Sequence, residues 1–318
     1  MKDTIKIMLK GAAMGVAEVI PGVSGGTLAF ITGIYERLLS AISSINLDLI
    51  SLWKTEGFKA VWARIDGLFL VKLLAGMGIG FILGLKLIVG LLESHPVHIW
   101  SFFFGLILAS IPLIGKQVKK WGGLEIILLV FGAGLVYWVT IAAPSQGSEH
   151  LFIVFIAGII GVSALMLPGL SGSFVLLLMG MYTIIMPAIE EVTHHPLSPE
   201  LLVVLVFGLG MLVGLLTFAK VLSFTFKKYP NPTLAILTGF LIGSLNKVWP
   251  WQHVTETRIN SKGEEVVFFS ESVLPTTFSD LTDNFLYGNE PYLIVSGVIV
   301  LVAIGIVFLM DKYSISEA

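Results

Sequence analysis

The sequence predicts an all-α polytopic membrane protein of two inverted-topology repeats, each a re-entrant helical hairpin followed by three transmembrane helices. Three observations predict it. Of 318 residues, 56% are apolar and 13% charged, about half the charged fraction of an average soluble domain. The lysines and arginines crowd onto one side of the apolar segments. A Pro-Gly-x-Ser-Gly break occurs twice, each time splitting a long apolar stretch. This composition excludes a disordered chain, a soluble nucleic-acid binder and a disulfide-stapled domain. With no cysteine, thiol catalysis and Cys-based zinc sites are excluded too.

Taken in order, residues 4–42 form the first hairpin. Lys2, Lys6 and Lys10 precede its apolar stretch, which runs into Pro21-Gly22 with no polar mature domain behind it, so a cleaved leader is not expected. The break reads Pro21-Gly22-Val23-Ser24-Gly25-Gly26-Thr27. Three spans follow at 68–92, 97–115 and 124–143, closing the first repeat at about residue 145. The second repeat, 146–318, opens with a hairpin over 151–189, broken at Pro168-Gly169-Leu170-Ser171-Gly172-Ser173, and continues with spans 200–222, 233–249 and 292–310. Proline removes a backbone donor and the glycines loosen the chain. Each arm of a hairpin is shorter than the ~20 residues needed to cross, so each hairpin is expected to return to its own side. Between the last two spans, residues 250–291 are polar; Val254–Ile259 and Glu265–Phe269 around Asn260-Ser261-Lys262-Gly263 predict a small β-hairpin in an outer loop.

The cations fix an orientation. With the N-terminus inside, Lys2, Lys6, Lys10, Arg37, Lys54, Lys59, Arg64, Lys72, Lys116, Lys119, Lys120, Lys227, Lys228 and Lys312 all fall inside, fourteen of the 19 Lys and Arg. Lys247, Arg258 and Lys262 fall outside, in a loop that also carries seven carboxylates. Such a bias predicts cytoplasmic N- and C-termini. Parity alone does not separate a re-entrant hairpin from one that crosses fully and returns.

The repeat is visible in register. At an offset of 147, Gly11/Gly158, Ala17/Ala164, Pro21/Pro168, Gly22/Gly169, Ser24/Ser171, Gly25/Gly172, Gly33/Gly180 and Tyr35/Tyr182 coincide. At an offset of 134, Gly76/Gly210, Met77/Met211, Gly80/Gly214, Lys86/Lys220, Pro96/Pro230, Gly105/Gly239 and Ser110/Ser244 coincide. Three spans per repeat make the second copy upside down relative to the first, an architecture that places a transport site between the repeats.

A break in a membrane helix exposes backbone amides, which favour an anion. Gly25, Gly26 and Gly172 let the chain bend around a ligand; Ser24, Thr27, Ser171 and Ser173 add hydroxyls. These seven residues form the candidate head-group site, with packing turns as the alternative. Glu18, inside an apolar arm, is the candidate for H+ or Na+ coupling, with capping of local donors as the alternative. Lys86 and Lys220, repeat equivalents within spans, and Arg37 near the inner mouth are candidate cations for a phosphate; snorkelling to the interface is the alternative for the lysines. His95, His98, His150, His194, His195 and His253 all lie at the outer side, where they read as unrelated interfacial residues with no metal or cofactor expected; a metal or pH-sensing site on the face shared by His95 and His98 is the alternative.

The run Gly15-Val16-Ala17-Glu18-Val19-Ile20-Pro21-Gly22-Val23-Ser24-Gly25-Gly26-Thr27 with Gly33-Ile34-Tyr35-Glu36 resembles the signature of the PopT-type undecaprenyl-phosphate translocases. The second break, with Gly180 and Tyr182, is similar to the second half of that signature. The resemblance implies a non-enzymatic transporter in the bacterial plasma membrane. Its partner would be a polyprenyl-phosphate lipid, carried from the outer to the inner leaflet for reuse in peptidoglycan and other envelope polymers. It says nothing of oligomeric state or of the outer loop. A carrier for a small soluble anion or ion remains the rival from the residues alone. A membrane-embedded lipid phosphatase is the rival from another class, and it lacks a His/Asp cluster near either break.

Overall fold

A computed structural model describes residues 2–19, 24–143, 145–259, 265–281 and 288–315. The first half opens with α1 (Lys2–Glu18), α2 (Gly25–Ile31) and α3 (Tyr35–Ser43). Two short helices follow, α4 (Asp48–Glu56) and α5 (Phe58–Arg64), then α6 (Gly67–Ser94), α7 (Pro96–Gly115) and α8 (Gly123–Ile141). The second half repeats the order with α9 (Leu151–Met166), α10 (Gly172–Leu178), α11 (Tyr182–His194), α12 (Glu200–Lys228) and α13 (Pro230–Ser244). It ends with β1 (Gln252–Ile259), β2 (Glu265–Ser272), α14 (Pro275–Ser279) and α15 (Leu293–Ile315). The protein is mostly helical and multi-pass: α6, α7, α8, α12 and α15 are each long and apolar enough to cross a membrane.

Three expectations change in detail. The second arm of each hairpin is itself broken. Gly33 (φ 72°) separates α2 from α3, and Gly180 (φ 66°) separates α10 from α11, which meet at 114°. Both glycines hold the left-handed conformation, where a side chain would be strained. The span drawn over 233–249 is a 15-residue helix, Pro230–Ser244, followed by turns. Its tail leaves the helix because the outer hairpin holds it: Ser272 Oγ donates to Asn246 O at 2.7 Å and Gln252 Nε2 to Lys247 O at 3.1 Å. The segment between the first hairpin and α6 is not a plain loop. α4 and α5 bury no residue and expose Leu47, Ile50, Trp53 and Phe58, the amphipathic character of helices lying in a membrane interface.

The β-hairpin forms where the alternating residues expected it, with Gln252 opposite Ser272 and Ile259 opposite Glu265 in antiparallel register. Its turn residues, 260–264, lie outside the described residues.

Glycine sets how closely the long helices approach. α1 packs on α6 and α9 on α12. A methyl on Gly76 would overlap the carbonyl oxygen of Met8, and one on Gly80 that of Ala12. In the second half, Gly210 meets Phe155 and Gly214 meets Ile159. Met8 to Phe155 and Ala12 to Ile159 are the offset of the first repeat match; Gly76 to Gly210 and Gly80 to Gly214 are that of the second. Between the halves, α7 packs on α15 with Gly105 against Val300 and Ala303, and α13 packs on α8 with Gly239 against Leu129. The outward faces of these helices expose leucine, isoleucine and phenylalanine, as contact with lipid requires.

Gly80→Leu is expected to force α1 from α6 and cost about 1–3 kcal/mol, the usual penalty of overpacking. Gly78→Leu, where a side chain meets open space within 4 Å, is expected to leave stability unchanged or raise it. Thermal unfolding of the two purified variants in detergent distinguishes them; equal melting temperatures would show that the close approach is not required.

Candidate functional site

The two breaks meet. Ser24, in extended conformation (φ −119°, ψ 139°), caps α2, its Oγ accepting from Gly26 N at 3.0 Å. The same hydroxyl donates to Leu165 O at 2.6 Å, at the end of α9 in the other half. Thr27 Oγ1 accepts from Gly169 N at 3.0 Å, and Gly169 itself turns through φ 85°. Tyr35 donates its hydroxyl to Met166 O at 2.8 Å. A Cβ at Gly26 would stand 2.7 Å from Leu165 O and 2.9 Å from Met166 O, so glycine lets the first break seat against the end of α9.

Local bonds complete the turns. Glu18 Oε1 accepts from Gly25 N at 2.7 Å, spanning the gap between α1 and α2. Ser171 caps α10, accepting from Phe174 N at 3.4 Å, and its Oγ lies 2.9 Å from Ser173 Oγ. Ser24, Thr27 and Ser171 are buried; Ser173 is exposed. Lys10 Nζ donates to Thr32 O at 2.8 Å, tying the first arm to the end of α2. Phe30, Tyr35 and Phe226 of α12 pack as a ring cluster, with centroids 4.9–6.3 Å apart, and carry α3 onto the opposite half.

Among the described residues, polar groups of the two breaks thus bond one another, as burial demands. Among the described residues no group of three or more His, Asp or Glu is placed to hold a metal ion.

The match to known proteins covers both breaks. The family model described as "VCA0040-like: Undecaprenyl phosphate translocase-like" matches residues 14–266. The chain belongs to that family. It is 40% identical over 306 residues to a protein of Vibrio cholerae serotype O1 named "Polyprenyl-phosphate transporter", covering 96% of each chain. A protein of Staphylococcus aureus with the same name is 32% identical over 256 residues, covering 76% of this chain and 85% of its own. No solved structure matches.

In this translocase-like chain, Ser24, Gly26 and Thr27 meet Leu165, Met166 and Gly169 of the other half, and Gly25 is held by Glu18. Ser171 and Ser173 bond each other and Gly172 lies against Gly161 of their own half, while the expected cations take other places. Arg37 is paired: Nε donates to Asp66 Oδ2 at 2.6 Å, a second guanidinium nitrogen to Oδ1 at 3.2 Å, and the group lies 4.3 Å from the Phe69 ring centre. Lys220 is exposed on α12. Pro21, Gly22, Val23 and the side chain of Lys86 lie outside the described residues. His95 and His98 meet edge to face with ring centres 5.6 Å apart, and Tyr292 lies 5.0 Å from His98.

Two contributors were not singled out from the sequence. Tyr35 stands in the sequence as a repeat match and as part of the family-like run, neither of which assigns it a contact; its bond to Met166 joins the two halves. Lys247 was counted with the outer loop although it falls within the apolar stretch 233–249. Its ammonium sits 4.4 Å from the ring centre of Phe174, directly after the second break. A lone lysine at the end of an apolar tract was the available signal.

Thr27→Val is expected to leave the buried Gly169 N–H without its acceptor and to cost about 1–3 kcal/mol, whereas Thr27→Ser retains the bond. A melting-temperature series on the two variants checks this. Equal loss in both would locate the effect in packing of the methyl group instead.

Proposed function

We propose that this chain transports polyprenyl phosphate across the bacterial plasma membrane, returning undecaprenyl phosphate from the outer to the inner leaflet for reuse in envelope synthesis. The observation that carries the reading is the near full-length similarity to a protein named polyprenyl-phosphate transporter. Its relatives are named transporters and not enzymes. Membership of the undecaprenyl phosphate translocase-like family favours a lipid phosphate over a small soluble ion.

In this reading the two halves are inverted repeats, 1–145 and 146–318, with cytoplasmic termini and hairpins that re-enter the membrane. The charge bias supports the orientation. The glycine contacts that recur at the two repeat offsets support the repeat. One asymmetry supports alternating access: α3 packs on α12 across the halves, while its counterpart α11 packs on α12 within its own half. Two repeats of one design held in different arrangements are what a rocking transporter needs. The head group passes the paired breaks, where Ser24, Thr27, Ser171 and Ser173 with the glycines between them supply donors, and the prenyl tail stays in lipid. Arg37, Lys86 and Lys220 act at the approaches, where long cationic side chains meet head groups. Glu18 couples the cycle to H+ or Na+ while capping Gly25 in the state described.

The test is leaflet transfer of undecaprenyl phosphate in vesicles reconstituted with the full chain, with and without a pH or Na+ gradient. Transfer no faster than in empty vesicles would remove the function, and release of inorganic phosphate would return the phosphatase reading. Glu18→Gln keeps an oxygen for Gly25 N–H, so the variant is expected to melt within about 1 kcal/mol of the parent and to lose the gradient dependence of transfer. Unchanged gradient dependence would leave Glu18 as a cap alone.

A further inference from the structure

Lys247 is held in place by its backbone and left open at its ammonium. Its N–H donates to Ser244 O at 2.9 Å, and its carbonyl accepts from Gln252 Nε2. Gln252 is buried and receives Ser270 Oγ at 2.7 Å, which joins both strands of the outer hairpin to the tail of α13. Two residues on, Trp249 Nε1 donates to Val273 O at 2.8 Å. The segment bearing Lys247 is therefore pinned between the helix end and the hairpin.

The side chain runs from there between two aromatic rings. Its Nζ lies 4.4 Å from the ring centre of Phe174 on α10 and 6.0 Å from that of Phe269 on β2. Both rings attract a cation through their faces. Neither accepts the three N–H bonds an ammonium offers. No described aspartate or glutamate pairs with it, in contrast to Arg37 with Asp66 and Lys116 with Asp311. A largely desolvated ammonium without an anion is costly to keep charged and strongly favours one that arrives. Phe174 follows directly on Ser173, whose hydroxyl is exposed and 2.9 Å from that of Ser171.

We propose that Lys247 is a phosphate ligand of the second break: an ammonium held between Phe174 and Phe269 that, with the Ser173 hydroxyl, binds the phosphate monoester of the lipid, the outer hairpin serving as its support. The inference rests on the transporter reading, and it gives the hairpin a role in substrate capture. The chemistry recognised is a phosphate monoester, which a lipid head group and free inorganic phosphate both approach; the prenyl chain selects the former.

The experiment uses the full chain in nanodiscs. An amine-acylating reagent is applied alone, with undecaprenyl phosphate, with undecaprenol and with inorganic phosphate, and modification of Lys247 is read by peptide mass spectrometry. Undecaprenyl phosphate is expected to slow modification at Lys247 several-fold and undecaprenol to leave it unchanged. Equal rates with and without the lipid phosphate would overturn the proposal, and protection by inorganic phosphate to the same degree would overturn the lipid assignment. This readout needs no variant. In parallel, Lys247→Met is expected to lower leaflet transfer about tenfold, the scale of one charge-assisted hydrogen bond, while Lys247→Arg retains most of it. Parental transfer in Lys247→Met would remove Lys247 alone. Absence of transfer and of lipid binding in the parent protein would remove the transporter reading and this inference together.

Discussion

A helix interrupted inside a packed protein must find partners for the amides and carbonyls it releases, and here the described residues of the first break bond to those around the second. Ser24 reaches Leu165 O, Tyr35 reaches Met166 O, and Gly169 N reaches Thr27. Helices α2, α3 and α10 are short, and alone each would be marginal. This lock between the halves holds α2 and α3, whereas α10 packs on α9 of its own half. The lock also sets a condition on any ligand: a head group that takes the Ser24 hydroxyl must displace the Leu165 carbonyl, and one that takes Gly169 N–H must displace Thr27. Under the proposed transport reading, binding at the breaks and rearrangement between the halves would be one process, because the same hydrogen bonds would serve both.

The frame around the lock is built from close backbone approach. Glycines at Gly76 and Gly80, and at Gly210 and Gly214, seat α1 on α6 and α9 on α12, making each first arm part of a rigid pair. In a membrane, where burial of apolar surface offers little between helices, such approach is a principal source of association. The exchanged pairs, α7 with α15 and α8 with α13, join the halves along their length. What differs between the halves is the placement of α3 and α11, the two helices that follow the left-handed glycines Gly33 and Gly180. The turns that set this placement thus fall at residues able to adopt that conformation without strain.

Most of this frame was legible in the sequence because hydropathy, charge bias and the spacing of glycines are local signals. The long helices, the β-hairpin and the second break fall where those signals put them. Gly33 and Gly180 were visible as repeat matches, but apolar sequence on both sides reads as one continuous arm, and only the observed φ reveals the turn. Arg37 and Asp66 are 29 residues apart across α4 and α5, a separation at which no periodicity reports contact. The hydroxyls of the breaks were legible as candidates, but their engagement with the opposite half depends on tertiary geometry.

The cations differ in how their charge is compensated. Arg37 is neutralised by the Asp66 carboxylate, so its field at the breaks is that of a pair and falls off faster than a charge. Lys220 faces outward, where lipid head groups and water satisfy it. Lys247 has aromatic faces and, among the described residues, no carboxylate. Of these three it alone keeps an uncompensated charge beside a break. Anion recognition at low dielectric depends on such a charge far more than on the number of nearby lysines, because a pre-paired cation must give up its carboxylate before it can bind another anion. An aromatic cage has no such exchange to make. In the role proposed for Lys247, the attraction of Phe174 and Phe269 holds the ammonium in place and leaves its hydrogen-bonding capacity for the substrate.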